Sequence, residues 1–167
     1  DYQAARTACE GLAPLTTLLT ATACEAYVDS LTGRAAQAAS ELADALGLAT
    51  DASPQERVWA LSRLAEIEER RGEFAAAESA FRKALALNIA DVYLLSAYAD
   101  FLLDRGRAAD VLTLLKDRGR ADVLLLRLAL AARAANDARA GPWAEELSAR
   151  FDAARARGDR THEKEES

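Results

Sequence analysis

The sequence contains little that would break a helix and little that favours a sheet. Its 167 residues include 3 Pro, 8 Gly and no Met, and aromatic residues account for only 6%. β-Branched residues are few beside the abundant Ala and Leu. Because Ala and Leu favour helices, whereas β-branched and aromatic residues favour strands, this composition predicts an all-α fold.

Long apolar runs are also missing. The nearest, Leu124–Ala132, is interrupted by Arg127 and is far shorter than the roughly 20 residues that span a bilayer. We therefore expect no membrane insertion. The net charge of −6 and the scattered arginines argue against nucleic acid as a partner. With 51% hydrophobic and 29% charged residues, the chain is typical of a globular protein, and its length suits one domain over residues 1–167.

Only two cysteines are present, Cys9 and Cys24. In a short chain such a pair suggests a disulfide if the compartment is oxidising, and the alternative is two buried thiols. A zinc site is not expected, because the single histidine, His162, is far from both cysteines. The chain does not begin with Met, which fits either a removed export leader or a fragment of a longer protein.

A Cys9–Cys24 bridge depends on where the second helix begins. If the first helix is about Tyr2–Glu10 and the next starts at Pro14, the two cysteines are too far apart along their helices to be bridged. A start nearer Thr20 removes the mismatch, and Thr22–Glu25 has the pattern of a capping box. We therefore predict a broken segment from Gly11 to Leu19, with Cys24 in the first turn of the second helix.

Three stretches of the chain align with one another. Each has a glycine turn followed by a helix with small and large apolar residues on one face: 31–46, 70–85 and 104–115. The turn glycines are Gly33, Gly72 and Gly106, and the last two are separated by about 34 residues. An insertion lies between the first two stretches. It contains a loop at Ala49–Ser53.

Helix beginnings are also marked in the sequence. Ser53-Pro54-Gln55-Glu56 is a capping box with proline at the first helical position, which predicts a helix from Pro54 to about Arg71. Asp91 and Asp122 each precede an apolar helix and are predicted N-caps. The helix that starts at Pro54 is expected to bury one apolar side, formed by Val58, Leu61, Leu64, Ala65 and Ile67.

These residues resemble the tetratricopeptide repeat family. The best unit is 58–91, where Gly72, Phe74, Ala77, Phe81 and Ala84 match the turn glycine and the aromatic and small positions of the second helix. Phe74 and Phe81 are expected to fill the gaps between layers. The unit departs from the family pattern in two places, with Glu68 where an aromatic is preferred and Ile89 in place of proline.

The resemblance implies a right-handed α-α superhelix of about four helix pairs. An extra N-terminal helix and crossing (1–18) precede units 19–52, 58–91, 92–120 and 122–157, and a charged tail (158–167) follows. In the last unit the turn is remade as Asn136–Pro142. The alternative is a generic helical bundle with chance repetition.

No catalytic arrangement is visible in the sequence. His162 has no evident serine or cysteine partner, and Glu66, Glu68 and Glu69 lie beside arginines at the spacing of an ion-paired helical face. We therefore expect a protein that is not an enzyme, with no catalytic residues, no metal and no cofactor.

The resemblance also implies a binding surface. In this family the first helix of each pair lines a concave groove that commonly holds a peptide or an extended segment. By register, the candidate groove residues are Tyr27, Trp59, Arg63, Glu66, Arg70, Tyr93 and Asp100, with Ser62 beside them. The alternative is that Trp59 and Tyr93 pack against neighbouring helices. The family's clamp for a C-terminal carboxylate is not present.

The expected function is therefore protein–protein interaction or scaffolding, with an unidentified protein or peptide as partner. The chain looks like exported bacterial tetratricopeptide proteins, which implies a periplasmic or secreted location. The alternative is a regulatory or assembly domain cut from a larger intracellular enzyme or export complex, with a cytoplasmic location. Self-association through exposed ends is a third hypothesis.

Overall fold

A computed structural model describes residues 1–158, and in this range the chain has nine α-helices, one 3₁₀ turn at Ala13–Leu15 and no strand. The predicted all-α class is confirmed. The helices are α1 (Tyr2–Leu12), α2 (Leu18–Ser30), α3 (Ala35–Leu48), α4 (Pro54–Arg70), α5 (Phe74–Leu85), α6 (Val92–Asp104), α7 (Ala108–Leu114), α8 (Asp122–Ala134) and α9 (Ala140–Ala156).

Neighbouring helices pack against one another along the chain. Contacts join α1 to α2, α2 to α3, α3 to α4, α4 to α5, α7 to α8 and α8 to α9, and α2 also contacts α4. The predicted segments 19–52, 58–91, 92–120 and 122–157 each hold most or all of two consecutive helices. Their assignment to one repeat family stays a prediction.

The chain forms two compact units that divide within α6. The first, Asp1–Leu94, contains α1 to α5 and the start of α6, and its largest fully buried side chains are Phe81, Leu42, Ile67, Leu94 and Val58. The second begins at Leu95 and contains the rest of α6 with α7 to α9; its most buried large side chains include Phe101, Leu102, Leu115 and Leu125.

Alanine side chains form a large part of the core of the first unit. Ala38, Ala60, Ala65, Ala77 and Ala84 have no exposed surface. Because an alanine side chain is a single methyl group, it lets two helix backbones approach closely while still excluding water. The alanine-rich composition therefore specifies close helix pairs as well as favouring helix formation.

The same backbone turn recurs between paired helices. Gly33, Gly72 and Gly106 have φ of +91°, +77° and +69°, a conformation that glycine adopts without steric cost. After each, the next N–H donates to the carbonyl five residues earlier, as from Glu73 to Glu68 (2.9 Å) and from Arg107 to Leu102 (2.9 Å). Asn136 takes the glycine's place between α8 and α9, with φ of +53° and the same bond from Asp137.

Of the predicted caps at Ser53, Asp91 and Asp122, the first two are confirmed and the third is wrong. Ser53 and Glu56 form the capping box of α4. The Glu56 N–H donates to the Ser53 hydroxyl at 3.3 Å, and the Ser53 N–H donates to the Glu56 carboxylate at 2.9 Å. Asp91 accepts a bond from the Leu94 N–H (2.7 Å). Asp122, by contrast, is the first residue inside α8, and Ala121 occupies the N-cap position. The Asp122 carboxylate lies in the first turn, where its negative charge interacts favourably with the positive end of the helix dipole.

The turn before α9 is shorter than predicted. The helix already begins at Ala140, so Pro142 lies in its first turn instead of in the loop. Proline is tolerated there because the first turn has no intrahelical partner for its missing N–H.

The N-terminal segment contains the predicted interruption and the predicted cysteine pair. Cys9 and Cys24 lie at disulfide-bonding distance, with sulfurs 2.03 Å and Cα atoms 5.6 Å apart. The α-helix is broken after Leu12. The predicted capping box at Thr22–Glu25 is wrong, because α2 starts at Leu18 and its cap is Thr17, whose hydroxyl accepts from the Thr20 N–H at 3.3 Å. Cys24 therefore lies in the second turn of α2.

Two predicted core residues are less buried than expected. Phe74 is 49% exposed, whereas Phe81 on the same helix is fully buried. Phe74 is the first residue of α5, so no preceding turn of the helix covers its ring. Leu64 is only partly buried, unlike Val58, Leu61, Ala65 and Ile67.

Candidate binding site

Three aromatic rings from three helices surround one arginine in the first unit. The guanidinium carbon of Arg63, on α4, lies 4.5 Å from the ring centre of Tyr27 on α2 and 4.6 Å from that of Tyr93 on α6. The ring of Trp59, one turn earlier on α4, is 5.8 Å away. These distances are within the range of cation–π attraction. We refer to Tyr27, Trp59, Arg63 and Tyr93 as the aromatic cluster.

Hydrogen bonds fix Arg63 in this position. Its Nη1 donates to Glu66 Oε2 at 2.9 Å and to the Tyr93 hydroxyl at 2.6 Å, and that hydroxyl donates to Glu66 Oε1. Only 17% of the Arg63 side chain and 16% of the Glu66 side chain are exposed. The predicted pairing of Glu66 with an arginine of its own helix is present, and Glu66 is in addition part of a closed network between α4 and α6.

Partial burial and the Glu66 carboxylate both raise the pKa of the Tyr93 hydroxyl above its usual value of 10. Burial penalises the phenolate, and a neighbouring carboxylate that accepts the phenol proton adds repulsion against a second negative charge. Tyr93 nevertheless remains 43% exposed. Its hydroxyl end is held in the network while part of the ring is open to solvent.

Arg70 extends the site by two helical turns. Its guanidinium carbon lies 4.6 Å from the ring centre of Tyr27, so this ring contacts both Arg63 and Arg70. Arg70 also donates to the hydroxyl of Ser30 at 3.3 Å, and Ser30 in turn donates to the Tyr27 carbonyl at 2.7 Å. Among residues 1–158, no carboxylate lies at ion-pair distance from Arg70. It is an exposed, positioned cation with donors left for a ligand.

Two further residues named by register, Asp100 and Ser62, have other hydrogen-bond partners. Asp100 belongs to the second unit, where it accepts two hydrogen bonds from Arg127, at 2.9 and 2.7 Å. Ser62 is buried and donates to the Val58 carbonyl at 2.8 Å, so its predicted place on the surface is wrong. It shares a helical face with the buried Val58, four residues earlier. Glu68 pairs with Arg71, as the charge pattern indicates.

Sequence reasoning missed two hydrogen-bonded links between helices. Ser30, which orients Arg70, is 40 residues away from it along the chain. Glu56 was predicted only as a cap of α4, yet it also accepts a hydrogen bond from Thr17 at 2.7 Å, so that one carboxylate joins the starts of α2 and α4. Neither link has a sequence signal, because both depend on which helices become neighbours.

Within residues 1–158, no three His, Cys, Asp or Glu side chains are grouped as metal ligands. No helix in this range combines the length and the hydropathy that a membrane span requires. His162 and most of the predicted charged tail lie outside the described residues.

Comparisons with protein-family models, curated proteins and solved structures give no match for this chain.

Proposed function

We propose that the chain is a tetratricopeptide-like solenoid that binds a peptide or protein segment without chemistry of its own. The repeated turn supports the solenoid part of this proposal. Four helix pairs share one left-handed turn residue and one backbone hydrogen bond across five residues, and each pair contains at least one fully buried alanine. Helix pairs of this kind have apolar faces that are buried by stacking on their neighbours.

The observation that carries the binding proposal is the aromatic cluster with its partly open rings. Tyr, Trp and Arg are the residues most enriched at the centres of protein interfaces, because they offer large contact areas with polar ends. Here they come from three helices, and hydrogen bonds through Glu66 hold Arg63 and Tyr93 in place before any partner arrives. Such preorganisation lowers the entropy lost on binding.

Arg70 indicates what the partner segment contains. It is exposed, stacked on Tyr27, and has no carboxylate partner in the described part of the chain. An aspartate or glutamate of the bound segment would supply that partner, while apolar side chains next to it would contact Trp59 and Tyr93. The function proposed is therefore recognition of an extended segment that carries both an acidic and an apolar residue.

The cysteine pair supports an exported location, periplasmic or secreted, because disulfides persist in oxidising compartments. This location is part of the proposal. The intracellular alternative, a domain of a larger enzyme or export complex, would require these two cysteines to be reduced in the cell.

A random-peptide library selected on the full chain tests the binding proposal. The best synthetic peptide is measured by calorimetry against the wild type and against Trp59→Ala and Arg70→Ala. We expect both substitutions to weaken binding about ten-fold or more, as for residues at an interface centre. Tyr2→Ala is the matched control, since Tyr2 is 56% exposed on α1 and outside the cluster.

Circular dichroism of each variant separates lost contacts from lost folding. The proposal fails if the selected peptides bind Trp59→Ala and Arg70→Ala as tightly as the wild type, or if no peptide is enriched. It also fails if the control Tyr2→Ala weakens binding as much as the two site variants do.

A further inference from the structure

A second surface, in the second unit, has a different character. An open groove of about 520 Å³ lies between α8 and α9. Its floor is apolar and includes Leu126, Leu130, Leu147 and Phe151. Leu147 and Phe151 belong to the core cluster of this unit, whereas Leu130 is 46% exposed. The groove therefore exposes an edge of the core that no residue of the described chain covers.

Small residues make this groove accessible to another helix. Ala129 on α8 and Gly141 and Ala144 on α9 line it, and nothing lies within 4 Å of a Cβ placed at Gly141. With so little side-chain volume on both walls, the backbone of an incoming helix can approach closely. Apolar grooves of this kind bind the apolar face of an amphipathic helix.

The charges at the rim specify the partner further. Arg133 on α8 and Arg155 on α9 are the charged residues among those that line the groove, and no acidic residue lines it. This contrasts with a chain whose net charge is −6. Arg155 is paired with Asp152, three residues earlier, whereas Arg133 has no carboxylate at ion-pair distance in the range 1–158.

We propose that this groove binds an amphipathic helix of another protein, with leucine-like residues on the floor and an acidic residue facing Arg133. The proposal does not depend on the aromatic cluster, which lies in the other unit. Residues 159–167, Asp-Arg-Thr-His-Glu-Lys-Glu-Glu-Ser, contain no aliphatic side chain of the kind that the floor would take. A second copy of this chain is the other possible occupant.

Two synthetic peptides test the proposal on the full chain. Both carry leucines at the i, i+3, i+4 and i+7 spacing; one has glutamates beside the leucines and the other has lysines at the same positions. Fluorescence anisotropy measures their affinities. We expect the glutamate peptide to bind, and the lysine peptide to bind more weakly by about three-fold or more, because a like charge would then face Arg133.

Substitutions assign the binding to the groove. Arg133→Glu should lower the affinity for the glutamate peptide roughly three- to ten-fold and raise the affinity for the lysine peptide. Leu130→Asp should abolish binding of both peptides. Arg118→Glu is the matched control, since Arg118 is an exposed arginine of the same unit that does not line the groove. It should leave both affinities unchanged.

Several results would overturn the proposal. Equal affinity for the two peptides, no binding of either, or the same response to Arg133→Glu and Arg118→Glu would each do so. Sedimentation showing a dimer that Leu130→Asp dissociates would assign the groove to a second copy.

Discussion

Two phenylalanines on α5 differ in burial and should therefore differ in their contribution to the free energy of unfolding. Phe81 is fully buried and Phe74, seven residues earlier, is 49% exposed. We expect Phe81→Ala to lower the free energy of unfolding by about 3–5 kcal/mol, because it leaves a cavity in a close-packed core. Thermal or denaturant unfolding measures the change.

Phe74→Ala is the matched control for this prediction, since it removes the same group from the same helix. Its cost should be well below that of Phe81→Ala, because a half-exposed ring loses less apolar burial. Equal losses of stability in the two variants would mean that the assignment of the buried face of α5 is wrong.

Tyr93 gives a prediction in the alkaline range. Its phenol pKa is raised in the folded state, so it stays protonated where an unfolded chain would ionise. The stability that it contributes is therefore present below pH 10 and is lost as the pH rises above that value. The difference between the absorbance titrations of wild type and Tyr93→Phe isolates this phenol, which should ionise above pH 10.

In the matching stability experiment, Tyr93→Phe should lose less stability than the wild type between pH 10 and more alkaline conditions. Tyr2→Phe should behave like the wild type, since Tyr2 is exposed on α1 and makes no contact with Glu66. A Tyr93 phenol that titrates at pH 10 would contradict the network described for Glu66.

The candidate site shows what register can and cannot predict for single residues. Trp59, Arg63, Glu66 and Arg70 follow one another at intervals of four, three and four residues, which places them on one stripe of α4. The structure has them near one another, with Tyr27 and Tyr93 beside Arg63. The bond from Arg70 to Ser30 could not be foreseen, because it depends on the packing of α2 against α4.

At the scale of elements, the starts of α2 and α4 are linked through one carboxylate. Glu56 accepts hydrogen bonds from Thr17, the cap of α2, and from Ser53, the cap of α4. The Thr17 bond, followed by those of Ser53, lowers the pKa of Glu56 to about 2 from 4.5. The link therefore strengthens two helix starts at neutral pH.

The stabilisation by Glu56 is lost over a defined range of pH. Because the folded pKa is depressed, the contribution of Glu56 is present above pH 4.5 and is lost as the pH falls from 4.5 through about 2. We expect Glu56→Gln to be less stable than the wild type at pH 7 and to approach it in stability near pH 2. Denaturant unfolding at a series of pH values measures both curves.

Two further variants separate the acid effect from the capping effect. Ser53→Ala should cost roughly 0.5–2 kcal/mol at pH 7, the usual cost of losing an N-cap side chain. Glu25→Gln, an exposed glutamate on α2 with no hydrogen bond in the described structure, should follow the wild-type curve. A Glu56→Gln curve parallel to the wild type at all pH values would contradict the link.

Helix starts were predictable where the cap and the helix are adjacent in sequence. The Ser53 box was found because both partners lie within four residues, and the end of α4 was placed within one residue of Arg70. The sequence does not distinguish Thr17 from Thr22 as the cap of α2, since both precede apolar residues and only the packing of α2 decides between them. The same ambiguity placed Asp122 one residue outside its helix.

For the whole molecule, the Cys9–Cys24 pair joins α1 to α2 over a separation of 15 residues. A bridge that closes such a loop stabilises the folded chain by roughly 3 kcal/mol in the entropic account. We expect reductant to lower the thermal midpoint of the wild type, and intact-mass measurement after alkylation to show no labelled thiol until the reductant is added.

The double variant Cys9→Ala, Cys24→Ala is the control. Its midpoint should be lower than that of the oxidised wild type and should not respond to reductant. Two freely alkylated thiols in the unreduced native protein would contradict the pairing and remove the main support for an exported location.

The two tryptophans offer a way to observe the two units separately. Trp59 lies in the first unit beside Arg63, and Trp143 lies in the second beside Arg139, whose guanidinium carbon is 4.8 Å from its ring centre. In Trp143→Phe the indole fluorescence comes from the first unit alone, and in Trp59→Phe from the second alone. Coincident denaturation midpoints in these variants would mean that the chain unfolds in one cooperative step, and separate midpoints would give each unit its own free energy of unfolding.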